Sequence, residues 1–278
     1  MFDSSETKLL GRRRFLAERT APGGDAFAQL AVAPGAAQVR ARDVIGSSPA
    51  LDEVQAKEII AAYGIATVTE HVVTSAEEAR KAVESLGGRA VLKVLSPDIA
   101  HKSDLGLVRV GISADDAADT YRGLIDAAAA GAPGAAVRGV VVQEMVDDAV
   151  AEAIIGISHQ APFGPVVLFG LGGVFVEVFA DVAFGVPPFT ARRATGMVAG
   201  IKGHKLLTGT RGRPTGDIRA LEQAILSAQR IAIELGDDID ELDINPLMVR
   251  PEGRGVVAVD ALVVPRTQRR QVPRTQTR

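Results

Sequence analysis

The 278-residue sequence contains no cysteine, no tryptophan and only four histidines. Without cysteine there can be no disulfide, thiol nucleophile, iron–sulfur cluster or cysteine-ligated zinc, and a zinc site would need nearly every histidine or help from carboxylates. A dominant charge is also lacking: 31 Lys plus Arg against 34 Asp plus Glu give a formal net charge of −3. That balance makes no electrostatic case for nucleic acid or an anionic membrane as the main partner. No apolar run approaches the roughly 20 residues that span a bilayer. The acidic start Met1-Phe2-Asp3-Ser4-Ser5-Glu6 lacks the basic stretch and apolar core of a secretory signal. The expectation is a soluble, cytoplasmic protein whose chemistry comes from Lys, Asp, Glu, Asn, Arg, Gly or a single His.

Apolar material, by contrast, is ample. Hydrophobic residues make up 47% of the chain, enough for one two-lobed domain or two small ones. Residues 1–47 carry Arg12-Arg13-Arg14 and then Ala, Pro and Gly in no steady period, and read as a flexible N-terminal tail with a short helix around Leu9 to Arg19. Residues 266–278 hold five Arg and no acid, and read as a solvated basic C-terminal tail.

Between the tails, residues 48–145 form a first lobe. Ser48-Pro49 offers an N-cap and N1 proline for a helix carrying Leu51, Val54, Ile59 and Ala62, which Gly64 stops. A strand-like stretch from Ile65 to Val73 follows, then a helix opened by a Ser75/Glu78 capping box. The strand Arg89 to Leu95 places Val91, Lys93 and Leu95 on one face. A loop from Ser96 to Gly106 leads to a strand at Leu107 to Ile112, an Ala-rich helix capped by Ser113, and a strand at Gly139 to Glu144.

Residues 146–265 form a second lobe. Strands are expected near Glu152 to Ile157, Pro165 to Phe169 and Val174 to Phe179, the last after a glycine turn from Gly170 to Gly173. Helices follow near Ala191 to Gly200 and Asp217 to Leu235, with short strands near Leu247 and Val256 to Val259. Turns at Phe163-Gly164-Pro165 and Arg250-Pro251-Glu252-Gly253 point to antiparallel hairpins, so the fold class is α+β in two lobes joined near residue 145.

Lys93 is a charge in the middle of an apolar strand. A buried ammonium asks for an anion, while a lysine at a sheet edge would reach water instead. Nearby, His101-Lys102-Ser103-Asp104-Leu105-Gly106 supplies a second lysine in a loop whose backbone N–H groups can cradle phosphate. Further on, Asp243 and Asn245 are two apart on an extended segment and face one way, with Asp260 on a neighbouring strand. Such oxygens suit Mg2+ beside phosphate and water, or else an Asx-turn before Pro246 and a solvated Asp260. Glu144 and Glu152 flank the lobe junction, as ribose ligands or as a solvated rim. Gly170-Leu171-Gly172-Gly173 precedes a strand rather than a helix and is no dinucleotide fingerprint. Arg211 and Arg213 put two fixed positive charges in a loop, with a phosphate-facing or a plain surface role.

In order and spacing, these segments resemble the ATP-grasp β subunit of ADP-forming acyl-CoA synthetases, relatives of succinyl-CoA synthetase, from about residue 49 to 264. The pieces that carry the resemblance are Val91-Leu92-Lys93 with His101-Lys102-Ser103-Asp104, Phe163-Gly164-Pro165, Gly170-Leu171-Gly172-Gly173-Val174-Phe175-Val176-Glu177, and Leu242-Asp243-Ile244-Asn245-Pro246-Leu247. The resemblance implies a two-lobed ATP-grasp fold with ATP or ADP held between antiparallel sheets. It implies that Lys93 contacts the phosphates, with Lys102 and Gly106 on a loop over them. Glu144, Met145 and Val146 match the hinge that meets adenine, and Glu152 approaches the nucleotide from the next strand. Asn245 and Asp260 match the Mg2+ ligands, with Asp243 an acidic neighbour. Glu177 lines the phosphoryl-transfer side, and His101 matches a histidine proposed as a phosphoryl carrier.

The family reaction interconverts acid, ATP and CoA with acyl-CoA, ADP and phosphate through an acyl phosphate and a phosphohistidine. The implied partner is an α subunit with CoA-binding and phosphohistidine domains in a hetero-oligomer, because the two lobes leave no room here for those domains. Three departures stand out: Leu107 replaces the second of two glycines, His159 stands where Asp is common, and Gly185 where Arg is common. Two other readings stay open. One is a nucleotide-binding regulatory module without turnover, motivated by Leu107 and Gly185. The other is a stand-alone ATP-grasp carboxylate–amine ligase, disfavoured because the sequence runs only a little beyond Asp260.

Overall fold

Two antiparallel sheets, each with one apolar face under helices, organise the molecule. The computed structural model describes residues 35–99, 102–173, 180–209, 212 and 214–266. Helices α1 (Ala36–Gly46) and α2 (Glu53–Ala62) come first. The smaller lobe consists of β1 (Glu70–Val73), α3 (Ala76–Ser85), β2 (Arg89–Leu95), β3 (Val108–Ser113), α4 (Ala114–Gly131) and β4 (Gly139–Glu144). The larger lobe adds β5 (Ala151–Gln160), β6 (Gly164–Leu171), β7 (Val182–Gly185), α5 (Ala191–Gly200), a single turn α6 (His204–Leu207), α7 (Ile218–Glu234), β8 (Ile239–Val249), β9 (Val256–Ala258) and β10 (Ala261–Pro265). Strand order is β1-β4-β2-β3 in the smaller sheet and β10-β8-β5-β6-β7 in the larger, with β9 on β8.

Side-chain alternation divides each sheet into a core face and a cleft face. In the smaller lobe Leu92, Val94, Val140 and Val142 bury against Ala79, Val83, Leu124 and Ala128 of α3 and α4. In the larger lobe Ile155, Ile157, Phe169, Leu242 and Ile244 bury against Met197, Val198, Ile225 and Ile231 of α5 and α7. The hairpins expected at Phe163-Gly164-Pro165 and Arg250–Gly253 are the β5/β6 and β8/β9 turns.

The N-terminal organisation corrects the sequence reading. Residues 36–46, expected within a flexible tail, are helix α1. Ala41 is fully buried in the larger core, with Ala37, Val44 and Ile45 packed around it. Its stripe is built from alanine more than leucine, which hid the period. Gln38 Nε2 donates to the Glu234 carbonyl at 2.7 Å, and Arg42 pairs with Asp238 at 2.8 Å. Helix α2 is capped by Asp52 rather than Ser48: the Asp52 carboxylate accepts from Val54 N and Gln55 N, and the Gln55 side chain accepts from Asp52 N. Ser48 Oγ is already donated to the Ala50 carbonyl.

The boundary of the first lobe shifts as well. Ala56, Ile59, Ile60, Tyr63 and Ile65 lie in the larger core, and Val68 N donates to the Ala258 carbonyl at 3.1 Å. Residues 48–68 therefore pack with the larger lobe, and the smaller one begins near Glu70. Other differences are local. Glu78 of the expected capping box turns back to Thr74 N instead of Ser75 N. Strand β8 is far longer than the piece expected near Leu247, and β7, β10 and α6 were not foreseen. Arg266, assigned to the basic tail, pairs with Asp240 at 2.8 Å. The helix expected around Leu9 to Arg19, the strand from Val174 to Phe179 and the rest of the basic tail lie outside the described residues. No helix among those described is long and apolar enough to cross a membrane.

Candidate functional site

Strand β2 lies inside its sheet, between β4 and β3, so Lys93 is not an edge lysine. Register pairs Lys93 with Val141, Val91 with Gln143, and Gln143 with Glu70, which puts Lys93, Gln143 and Glu70 on the cleft face. The Lys93 side chain is only 6% exposed. Its Nζ donates to the Val259 carbonyl at 3.4 Å and lies 3.7 Å from Asp260 Oδ2 and 3.8 Å from Glu53 Oε1. The turn between β9 and β10 in the larger lobe thus receives the central lysine of the smaller one.

Lys102 joins the same cluster from the β2–β3 loop by donating to Glu53. Burial pulls its pKa down, but the Glu53 carboxylate and the charge of Asp260 hold it above the usual lysine value. Glu53 is itself buried, which favours its neutral form, yet the ammoniums of Lys93, Lys102 and Lys57 outweigh burial and hold it below the usual carboxylate range. Lys57, one helical turn on, pairs with Glu70 and donates to the Val259 carbonyl at 3.4 Å. Gly106, at the loop's end, has φ +63°, a left-handed conformation that glycine adopts freely.

Beside the lysines lie two carboxylates and an amide. Asp243 and Asn245 project from β8 on the same side, and the Asn245 side chain hydrogen-bonds Asp243. Asn245 N donates to the Asp260 carbonyl at 3.2 Å. Burial, the neighbouring charge of Glu241 and that of Asp260 push Asp243 up to about 6, against the Asn245 hydrogen bond. Asp260 is raised chiefly by burial and by Glu53, with Lys93, Lys102 and Lys57 opposing. The charges that act most on Asp243 are negative, whereas Asp260 faces the Lys93 ammonium at 3.7 Å. Two carboxylates and an amide oxygen suit a hard cation that takes its remaining ligands from phosphate and water. Among the described residues no group of three His, Cys, Asp or Glu forms a complete metal site.

Other expected site residues stand apart. Glu144 closes β4, where the chain crosses between lobes, and its carboxylate accepts from Thr69 N at 2.8 Å. Met145 and Val146 follow it, half-buried. Glu152, the second residue of β5, is exposed, with its carbonyl accepting from Gly172 N at 2.8 Å. His101, Glu177, Arg211 and Arg213 lie outside the described residues. Of the three departures, Leu107 is fully buried in the smaller core. His159 approaches the Asp240 carbonyl at 3.3 Å through Nδ1. At Gly185 a Cβ would lie 2.7 Å from the Phe189 ring and 3.0 Å from Met197 sulfur, so this packing admits no side chain there.

Sequence reasoning missed Glu53, Lys57 and Gln143. Glu53 and Lys57 share the buried face of α2 with Ala56 and Ile60. Charged residues on that apolar stripe were the available signal. Gln143 is 1% exposed, and its Oε1 has no hydrogen-bond partner. The whole is a cluster of three lysines around Glu53 next to two carboxylates and an amide, in a cleft between two lobes.

Residues 46–264 match the model of the ATP-grasp domain family. The chain is 37% identical over 230 residues to the β subunit of acetate–CoA ligase [ADP-forming] I of Pyrococcus furiosus, covering 81% of this chain and 97% of that subunit. It is 37% identical over 199 residues to acetate–CoA ligase [ADP-forming] I of Archaeoglobus fulgidus, covering 72% of this chain but 29% of that longer protein. Among solved structures it is similar to an acetyl-coenzyme A synthetase of Candidatus Korarchaeum cryptofilum in complex with coenzyme A and Mg-AMPPCP, whose phosphohistidine segment points towards the nucleotide-binding site. That match has a TM-score of 0.69 and 37% identity, and covers 81% of this chain and 100% of the other.

Proposed function

Because the chain belongs to the ATP-grasp domain family, with the β subunits of ADP-forming acetate–CoA ligases, we propose that it is the nucleotide-binding part of an ADP-forming acid–CoA ligase. The overall reaction is acid, ATP and CoA to acyl-CoA, ADP and phosphate, and it is reversible. This chain's share is phosphoryl transfer between ATP and a histidine of an α subunit that carries the CoA-binding and phosphohistidine domains, in a hetero-oligomer. The reading rests above all on Lys93, a buried lysine of the smaller lobe 3.7 Å from Asp260 of the larger. The phosphohistidine segment of the Korarchaeum synthetase gives it independent support.

Lys93 and Lys102 offset the negative charge of the phosphates and fix their orientation, where a low-dielectric cleft strengthens each contact. Asn245, Asp260 and Asp243 would hold Mg2+, which would supply positive charge against the phosphoryl oxygens. Gly106 keeps the β2–β3 loop close to the phosphates. Glu144, Met145 and Val146 border the adenine and Glu152 the nucleotide from β5. By motif match alone, Glu177 is a candidate for the phosphoryl-transfer side and His101 a candidate relay for the phosphoryl group. A neutral imidazole, abundant near pH 7, suits the acceptor role on the partner.

The test is transfer itself. Chain, Mg2+ and γ-labelled ATP mixed with an α subunit of this type should place an acid-labile label on the α-subunit histidine, and CoA with the acid should discharge it. A chain that binds Mg·ATP but labels no such partner would contradict the ligase reading.

A further inference from the structure

Glu53 is the anion at the centre of the lysine cluster, and no step above uses it. It sits in the first turn of α2 with its side chain 2% exposed, in the part of the chain that packs with the larger lobe. Two of the three ammoniums around it, Lys93 and Lys102, come from the smaller lobe. Oε2 accepts from Lys102, while Oε1 lies 3.5 Å from Lys57 and 3.8 Å from Lys93 without accepting a hydrogen bond. Lys57 also has Glu70, and Lys93 also has Asp260 and the Val259 carbonyl. Among the described residues, Lys102 has Glu53 alone as an ion-pair partner.

A buried ammonium needs an anion, and a buried carboxylate left with one oxygen unbonded is poorly satisfied. Phosphate oxygens entering the cleft offer Lys102 a denser negative charge than one carboxylate does. On the nucleotide-binding reading above, we infer that Glu53 is a positioning residue. It holds Lys102 in place in the nucleotide-free protein, and the phosphates displace it from that lysine when nucleotide binds. Glu53 therefore competes with nucleotide for Lys102. Removing its charge should tighten nucleotide binding and, by leaving the lysines less firmly held, slow phosphoryl transfer. An ion pair that only stabilises the fold predicts the opposite sign, because a loosened cluster binds nucleotide more weakly.

The experiment is titration calorimetry of Mg·ATP on the chain itself, as wild type, Glu53→Gln, Lys102→Met and the double variant. Glu53→Gln should bind about tenfold more tightly, about 1.4 kcal/mol. The gain should vanish in the Lys102→Met background, where there is no lysine left to compete for. Weaker or unchanged binding by folded Glu53→Gln, or the same gain without Lys102, overturns the inference. Should Glu53→Gln fail to fold, Glu53→Asp keeps the charge, shortens the reach to Lys102 and should tighten binding about threefold, about 0.6 kcal/mol. Unchanged or weaker binding there overturns it equally. Wild type that binds no Mg·ATP contradicts the nucleotide reading instead, so the two failures are distinguishable.

Discussion

Asp243 makes the electrostatics of the site measurable. Its carboxyl is pushed from an ordinary 3.8 to about 6 by burial and by the charges of Glu241 and Asp260. A carboxyl that holds its proton more tightly folded than unfolded stabilises the fold at low pH, and that contribution is lost as pH rises through the folded value. The metal-free chain should therefore lose stability between about pH 4 and about pH 6 on account of this group. Mg2+-dependent nucleotide binding should run the other way and weaken as pH falls below about 6, because a ligating carboxylate must first shed its proton. Asp243→Asn should flatten both profiles and raise the metal-free melting temperature at pH 7.5 by about 3 °C. Melting curves against pH and Mg·ATP titrations check this, and unchanged profiles in the variant would count against the assignment. Lys93 was legible because a charge in an apolar strand stands out. Glu53 was not, because an acid in a helix's first turn is ordinary on exposed helices, and only the packing of α2 between the lobes buries it.

Whole elements were legible where period and cap agree. Helix α5 has the bounds expected, opened by Thr190, whose hydroxyl accepts from Arg193 N, and β4 likewise runs from Gly139 to Glu144. The long β8 was obscured because its pairing with β5 shifts register between Ala153 and Ile155, which breaks the alternation. Helix α1 was hidden by its alanines. The departure at Gly185 has an explanation at this scale: Phe189 and Met197 fill the space over β7. Gly185→Ala should cost about 2 kcal/mol through overpacking, read as a lower urea midpoint at unchanged slope. An unchanged midpoint would mean that the Phe189 ring moves aside freely.

At the scale of the molecule, the lobes meet through charge as much as through apolar packing. Lys93 and Lys102 reach Asp260 and Glu53, and Arg138 at the foot of β4 reaches Asp52 at 2.7 Å. A two-lobed fold with antiparallel sheets was legible from alternating strand and helix signals and from the hairpin turns. That residues 48–68 pack with the far lobe was not, because no local pattern states which core a helix joins. On the nucleotide-binding proposal, a nucleotide at this junction would touch groups of both lobes, so binding should fail when the central lysine is lost. The most direct test is calorimetric titration of Mg·ATP into wild type and a folded Lys93→Met variant. Loss of one charge-assisted contact in the cleft should weaken binding about 30-fold, about 2 kcal/mol. Equal affinity in the two proteins would contradict the site.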